Sequence, residues 1–137
     1  MRRMSVRFFD TNVILYLLDD GPKREVAIDL IAGGGMISVQ VLNEALVNCL
    51  RKATMSWDEA GEFLDGIREI CTVVDLTPEI HEIGRALGAR YQLAVHDAMI
   101  VAAALAHGAT QLFSEDMHHG MVIETSLVIE NPFRPTT

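Results

Sequence analysis

Hydrophobic and polar positions change their spacing along the chain, and the changes predict strands that alternate with helices. Short apolar runs predict strands at 5–10, 36–39, 71–76, 111–114 and 127–129. Spacings of three and four residues predict helices at 11–18, 22–32, 40–53, from Ser56 onward, at 77–91 and from Asp97 to Ala106. This alternation favours an α/β domain of three layers, with a mostly parallel central sheet flanked by helices.

Residues typical of helix ends mark several of these boundaries. Pro22 stands at the favoured first helical position, and the glycine run at 33–35 ends the helix that Pro22 begins. Ser56, followed three residues later by Glu59, forms a capping box. The segment 98–106 is apolar on every side, which predicts a helix buried in the middle of the domain.

The length of 137 residues predicts one domain spanning 1–137, large enough to bury a core and fold alone. No apolar run approaches the length that crosses a bilayer, and the N-terminus leads into a strand instead of a signal-peptide core. We therefore expect a soluble, cytoplasmic protein without a membrane partner. Cys49 and Cys71 lack the spacing of metal ligands, which predicts small core residues in a reducing compartment.

The formal net charge of −8 argues against a protein that coats RNA, because lysine and arginine neutralise the phosphates in such binding. It argues less against a nuclease that holds metal ions. Two bound Mg²⁺ ions would bring the formal charge to about −4 and invert the potential at the cleft. The acidity also favours a basic partner.

Acidic residues far apart in the sequence fall at or near strand ends and helix starts. They are Asp10, Glu44, Asp97 and Asp116. Asp10 is the clearest example, because an apolar strand stops at this acid and a helix follows at once. The carboxyl ends of parallel strands converge on one crevice. The pattern therefore predicts a single carboxylate cluster built to hold divalent metal.

Each acid has a structural interpretation when it is considered alone. Asp10 is typical of a helix N-cap, and the helix dipole favours Asp97 at the start of its helix. Glu44 lies on the polar side of its helix, which is more often a solvated face than a site. Four acids at converging ends favour the metal cluster over four unrelated caps.

Five short motifs follow one another along nearly the whole chain. They are Phe9-Asp10-Thr11-Asn12, Leu42-Asn43-Glu44, the run from Asp97 to Ala104, the run from Leu112 to Met117 with Gly120, and Asn131-Pro132-Phe133. In this order and with these gaps, they make the sequence resemble a PIN-domain nuclease. The closer resemblance is to a VapC-type toxin ribonuclease of a type II toxin–antitoxin pair.

The resemblance implies an endoribonuclease that depends on Mg²⁺ or Mn²⁺. The family's metal-binding acids correspond to Asp10, Glu44, Asp97 and Asp116. We expect Asp10 and Asp97 to contact metal directly, and the other two to complete one or two sites partly through water. A water activated by the metal would attack the RNA phosphodiester in line. The family implies products with 5′-phosphate and 3′-hydroxyl ends.

Several other polar residues have supporting roles in this hypothesis. Ser114 corresponds to the family's supporting hydroxyl, and we expect Ser114 and Asn12 to orient carboxylates or the scissile phosphate. Arg51 is either a contact to the RNA backbone or a solvated surface residue. For His96 a neutral helix cap is favoured over metal ligation, since Mg²⁺ does not need histidine. The remaining histidines are expected to be exposed and without a role: His81, His107, His118 and His119.

An apolar stripe on the helix that follows Ser56 indicates a surface that either packs inside the domain or binds a partner. Its members are Trp57, Ala60, Phe63 or Leu64, Ile67 and Ile70. The resemblance favours the partner, because such toxins bind an antitoxin along exposed helical grooves and usually form homodimers. A basic antitoxin segment in the acidic cleft would oppose the binding of metal and RNA.

Other α/β proteins fit the sequence less well. A phosphatase of the haloacid dehalogenase kind needs a second Asp two residues after the first, where this chain has Asn12. A receiver module needs a strand-terminal lysine, whereas Lys52 lies in a predicted helix. Two alternatives stay open: a PIN nuclease that serves RNA processing or DNA repair, and a PIN-fold binding module without activity.

Overall fold

The computed structural model describes residues 5–135 of the chain, in which helices flank a six-stranded sheet. The strands are β1 (Arg7–Phe9), β2 (Gly35–Ser38), β3 (Cys71–Val74), β4 (Gln111–Phe113), β5 (Val122–Ile123) and β6 (Leu127–Glu130). They lie in the order β3-β2-β1-β4-β6-β5, and all neighbours pair in parallel except β5 with β6. The predicted α/β class with a mostly parallel sheet is confirmed.

Every predicted helix forms. The helices are α1 (Thr11–Leu15), a 3₁₀ helix (Tyr16–Leu18), α2 (Lys23–Ala32), α3 (Val39–Arg51), α4 (Trp57–Ile70), α5 (Pro78–Tyr91) and α6 (Val95–Ala106). One difference from the sequence prediction bears on the site: α6 begins at Val95 instead of Asp97. Asp97 therefore lies inside the first turn of α6 and does not open it.

Short polar side chains begin four of these helices. Asp10 caps α1, Ser38 caps α3 and Thr77 caps α5, each by accepting a hydrogen bond from a backbone N–H. The predicted capping box of α4 is confirmed, because Ser56 and Glu59 each accept a hydrogen bond from the other's backbone N–H. Asp10 directly follows β1, and Ser38 ends β2. These two caps therefore fix strand-to-helix turns at the same edge of the sheet.

The predicted burial of the apolar helix α6 is confirmed. Ala102, Ala103 and Ala104 are fully buried, and their small side chains let the helix approach the sheet closely. On its other side α6 packs against α5, where a Cβ at Gly84 would lie 2.6 Å from the sulfur of Met99. This close packing places the N-terminal turn of α6 at the same edge of the sheet as the two caps.

The apolar stripe on α4 is divided between core and surface. Ala60, Leu64 and Ile67 are buried, whereas Trp57 is 71% exposed and Ile70 is 50% exposed. The middle of the stripe therefore packs inside the domain. A partner at its two ends remains a prediction.

The two-residue strand β5 is absent from the sequence prediction. It pairs antiparallel with β6 across a turn in which Glu124 and Thr125 have positive φ angles of 48° and 59°. Such turns usually carry Asn or Gly, and neither is present here. The sequence therefore lacks the usual signal for this hairpin.

Other predictions about single residues agree with the structure. Cys49 and Cys71 are buried and free, and burial raises the pKa of Cys71 to about 11. The four histidines that were expected to be exposed are exposed: His81, His107, His118 and His119. No helix within residues 5–135 is both long and apolar enough to cross a membrane.

Glycines on two elements are expected to respond to alanine with opposite signs. A Cβ at Gly61 or Gly66 in α4 would meet nothing within 4 Å, so each substitution should raise the free energy of unfolding by roughly 0.5–1 kcal/mol. A Cβ at Gly35 would lie 2.6 Å from the buried ring of Phe9, so Gly35→Ala should lower it by about 1–3 kcal/mol. Urea unfolding measures both effects. Equal effects of Gly35→Ala and Gly61→Ala would contradict the packing of β2 against β1.

Candidate metal centre

A cleft of about 670 Å³ opens where the carboxyl ends of β1 and β4 face α3 and α6. Five of the six predicted site residues line it: Asp10, Asn12, Glu44, Asp97 and Asp116. The sixth, Ser114, is buried against Asp10. Phe9 and Phe113 are partners in the parallel pairing of β1 with β4. The residues that follow them, Asp10 and Ser114, therefore leave the sheet side by side.

Asp10 is the most deeply buried acid of the cleft, with 3% of its surface exposed. Its Oδ1 accepts a hydrogen bond of 2.7 Å from the backbone N–H of Thr11, and its Oδ2 accepts one of 2.7 Å from the Ser114 hydroxyl. Burial raises the pKa of Asp10, the two hydrogen bonds lower it, and the charge of Asp97 raises it further. The net direction is upward, so the negative charge on Asp10 is only partly compensated.

Asp97 is half-buried in the first turn of α6. Burial raises the pKa of Asp97, nearby His96 lowers it, and the charges of Asp116 and Glu44 raise it. Among the residues that the structure describes, none donates a hydrogen bond to the Asp97 carboxylate. Its oxygens are therefore available to another ligand.

Glu44 lies on the second turn of α3 and faces the cleft, not bulk solvent. Its Oε2 accepts a hydrogen bond of 2.6 Å from the Thr11 hydroxyl, and its Oε1 accepts one of 3.1 Å from the Gln40 amide. Nδ1 of His96 lies 2.5 Å from the same Oε1. Glu44 is thus held between α1 and α6, and the interpretation of a solvated face is wrong for this residue.

Asn12 joins three parts of the cleft. Its amide nitrogen donates hydrogen bonds of 3.4 Å to Asp10 and 3.2 Å to Asp116, while its amide oxygen accepts one of 3.2 Å from the backbone N–H of Glu115. Asp116 itself is exposed. Asn12 therefore orients the exposed acid relative to the buried one.

The sequence interpretation of His96 as a helix cap is wrong. The residue at the N-cap of α6 is Ala94, which makes no side-chain hydrogen bond. His96 is in the first turn, and its ring contacts Glu44 and lies 3.4 Å from the Gln40 amide. These contacts place the imidazole at the edge of the acidic cluster.

The donors in the cleft fit a divalent cation. Asp10, Glu44 and His96 each offer one ligand atom, and the three atoms lie within 4.8 Å of one another. Carboxylate oxygens are the ligands that Mg²⁺ prefers, and Mn²⁺ accepts oxygen and imidazole nitrogen. Burial, with a smaller contribution from neighbouring carboxylates, raises the pKa values of Asp10 and Asp97, and a bound cation would stabilise the charged form of both.

Sequence reasoning missed three residues in or beside the cleft. The hydroxyl of Thr11 and the amide of Gln40 donate hydrogen bonds to Glu44. Only the contact with Gln40 could have been predicted from the sequence, because Gln40 is four residues before Glu44 in the same helix. The cation that lines the cleft is Lys52, and Arg51 is not among the lining residues. Helical spacing explains the difference, because Lys52 is two turns beyond Glu44.

Comparisons with known proteins agree with this architecture. The family model described as "PIN domain" matches residues 7–120 of the chain. A search by sequence among curated proteins finds no match.

Solved structures with a similar fold include three with informative descriptions. A toxin–antitoxin complex from Klebsiella pneumoniae contains a chain with 22% identity and a TM-score of 0.72, with 94% of this chain and 99% of that one covered. VapC20 from Mycobacterium tuberculosis, described as a sarcin–ricin loop cleaving toxin, has 21% identity and a TM-score of 0.65, covering 80% and 91%. VapBC2 from Rickettsia felis, bound to promoter DNA, has 18% identity and a TM-score of 0.66, covering 92% and 98%. At these identities the likeness establishes the fold.

Asp97→Asn should stabilise the metal-free protein. The substitution removes a half-buried charge and its repulsion from Asp116 and Glu44, which together outweigh its attraction to His96, and it breaks no hydrogen bond within residues 5–135. We expect the melting temperature at pH 7, in the presence of a chelator, to rise by roughly 1–4 °C. Differential scanning calorimetry measures the change, and Asp75→Asn, at an exposed acid outside the cleft lining, is the matched control.

The stabilisation should depend on pH in a defined direction. A raised pKa means that folded wild type binds the Asp97 proton more tightly than the unfolded chain does. The contribution of Asp97 to wild-type stability is therefore lost as the pH rises above 3.8, the ordinary pKa of an aspartate. The gain in melting temperature from Asp97→Asn should be largest at neutral pH and vanish near pH 4. An advantage independent of pH, or equal to that of Asp75→Asn, would contradict this electrostatic account.

Proposed function

Since the chain belongs to the PIN-domain family, we propose that it is a Mg²⁺- or Mn²⁺-dependent endoribonuclease. The observation that carries the proposal is the convergence of acids from four separate segments on one cleft: Asp10, Glu44, Asp97 and Asp116. Two of them have raised pKa values, and the cleft lining supplies few cations to balance the four. Perturbed acids gathered in a cleft are typical of a functional site.

The proposed chemistry follows from what a phosphodiester requires. Its hydrolysis needs neutralisation of the phosphate charge and a nucleophile that exists at neutral pH. A divalent ion held by the four acids supplies both when it is bound. The remaining residues hold the acids in place: Ser114 and Thr11 fix Asp10, and Asn12 links Asp10 with Asp116. Products with 5′-phosphate and 3′-hydroxyl ends belong to the same proposal.

We further propose that the protein acts in the cytoplasm as a VapC-type toxin, with an antitoxin as its partner. The fold is shared over nearly the full length with a chain of a toxin–antitoxin complex. The net charge of −8 is complementary to a basic antitoxin segment. A homodimer is part of the proposal, and exposed Trp57 and Ile70 are apolar surfaces available to a protein partner.

Cleavage of a panel of labelled, structured RNAs by purified, partner-free protein tests the enzymatic proposal. We expect cleavage with Mg²⁺ or Mn²⁺ and none with EDTA. Asp10→Asn should lower kcat/KM by more than about 100-fold, since even a partner outside the metal's own ligands is worth up to about 100-fold. Asp75→Asn, at an exposed acid outside the cleft lining, should cleave as wild type does.

Two outcomes would overturn the enzymatic proposal. Cleavage that survives Asp10→Asn would place the activity outside this cleft. Absence of cleavage with either metal on every RNA, together with tight metal-independent partner binding, would identify a PIN-fold binding module. A metal-dependent nuclease without a neighbouring antitoxin gene would instead favour a role in RNA processing.

Lys52 should contact an RNA phosphate, because it is a cation that lines the acidic cleft. We predict that Lys52→Met raises KM several-fold with little change in kcat, and lowers the slope of log KM against log salt by about 0.7. Arg51→Met is the matched control, since it removes an adjacent charge that lies outside the cleft lining. A larger effect of Arg51→Met on KM would contradict the assignment.

A further inference from the structure

Three side chains from separate segments meet at the rim of the cleft. The Glu115 carboxylate accepts hydrogen bonds of 2.5 Å from the Tyr16 hydroxyl and 2.5 Å from the Lys23 ammonium. The ammonium also donates a hydrogen bond of 3.2 Å to the Tyr16 hydroxyl. Tyr16 lies in the 3₁₀ helix, Lys23 begins α2, and Glu115 lies in the loop after β4. We call these three residues the rim network.

The rim network is held against the body of the protein by ring contacts. The ring of Tyr16 packs against Phe133, with centroids 4.6 Å apart, and the Lys23 ammonium lies 5.0 Å from the centre of the Tyr16 ring. Both oxygens of Glu115 therefore have fixed, charge-assisted partners. Glu115 also lines the cleft, but it differs from the four predicted acids because a lysine of the protein is paired with it.

Asp116 follows Glu115 directly and is the most exposed of the four predicted acids. It is exposed, and within residues 5–135 its carboxylate accepts one hydrogen bond, of 3.2 Å, from Asn12. Its place therefore depends on the backbone of the loop that carries it. Asn12 holds the N–H of Glu115, and the rim network holds the side chain of the same residue.

We propose that Tyr16, Lys23 and Glu115 are positioning residues that hold the loop after β4 so that Asp116 reaches the metal. The inference rests on the proposed function, because it takes Asp116 as a metal ligand. Hydrogen-bond partners behind a ligand are commonly worth 10–100-fold in metal affinity. An ordinary ion pair at a protein surface, by comparison, contributes little to stability.

If only charge mattered, removing Lys23 would change the metal affinity in the opposite direction to that expected from positioning. Lys23 carries a positive charge near the cleft, so its removal would strengthen binding of a divalent cation if only Coulomb repulsion mattered. Positioning predicts that the same removal weakens binding. The sign of the change in metal affinity therefore separates the two explanations.

The chain contains a second network of similar composition, with arginine in place of lysine, that serves as a control. The Glu124 carboxylate accepts hydrogen bonds of 3.2 Å from Arg90 and 3.2 Å from the Tyr91 hydroxyl. None of these three residues lines the cleft. Arg90→Met and Tyr91→Phe thus remove the same kinds of contact without touching the metal site.

The experiment is calorimetric titration of Mn²⁺ into the purified full chain without RNA, together with the metal-free melting temperature. We expect Lys23→Met and Tyr16→Phe each to weaken Mn²⁺ binding by about tenfold. Their melting temperatures should change no more than those of Arg90→Met and Tyr91→Phe, whose Mn²⁺ affinity should equal that of wild type. Lys23→Arg, which restores the charge and a donor, should recover most of the affinity.

Unchanged or tighter Mn²⁺ binding by Lys23→Met and Tyr16→Phe would overturn the inference. The inference would also fail if the control variants lost as much Mn²⁺ affinity as the rim variants for the same drop in melting temperature. Mn²⁺ binding by Asp10→Asn distinguishes failure of the rim-network inference from failure of the proposed function. If wild type binds Mn²⁺ and Asp10→Asn does not, the metal site stands whatever the rim network does; if wild type binds no Mn²⁺, both proposals fail.

Discussion

Burial of the Asp10 carboxylate at the end of β1 sets the electrostatics of the cleft. β1 lies inside the sheet between β2 and β4, and Asp10, which follows it, is only 3% exposed although it lines the cleft. Hydrogen bonds from Thr11 and Ser114 compensate part of the cost of burying the charge, yet the pKa of Asp10 stays raised. Packing of the apolar core around β1 offsets the remaining free-energy cost of burying this charge. Such a cost is common where a functional site lowers the stability of the fold.

Some acids of the described chain have a basic partner within the protein, and others do not. Glu115 is paired with Lys23, and Glu124 with Arg90, both in ordinary ion pairs. In the cleft, Glu44 contacts His96, while Asp97 has no hydrogen-bond donor within residues 5–135. This contrast supports an external cation, because Glu115 and Glu124 each have a lysine or arginine partner, whereas the half-buried Asp97 has no such partner within residues 5–135.

The sequence was sufficient for the class of fold and, together with the family resemblance, for four of the acids that line the cleft. Strand ends in a parallel sheet converge by topology, so Asp10 and Asp116 could be placed together without coordinates. Contacts between elements could not be predicted in this way: nothing in the local sequence links Glu44 with Thr11 and His96, or Glu115 with Tyr16 and Lys23. The hairpin of β5 also lacked a signal, because Glu124 and Thr125 occupy positive φ angles without Asn or Gly.

The central claim is that the cleft binds a divalent cation through the four acids. Diffraction from a crystal grown with Mn²⁺, recorded where manganese scatters anomalously, tests it most directly because it locates the ion. We expect an anomalous peak within ligand distance of Asp10 and Asp97, with Glu44 and Asp116 beside it. A crystal that shows no peak in the cleft at saturating Mn²⁺, or a peak elsewhere on the chain, would contradict the account.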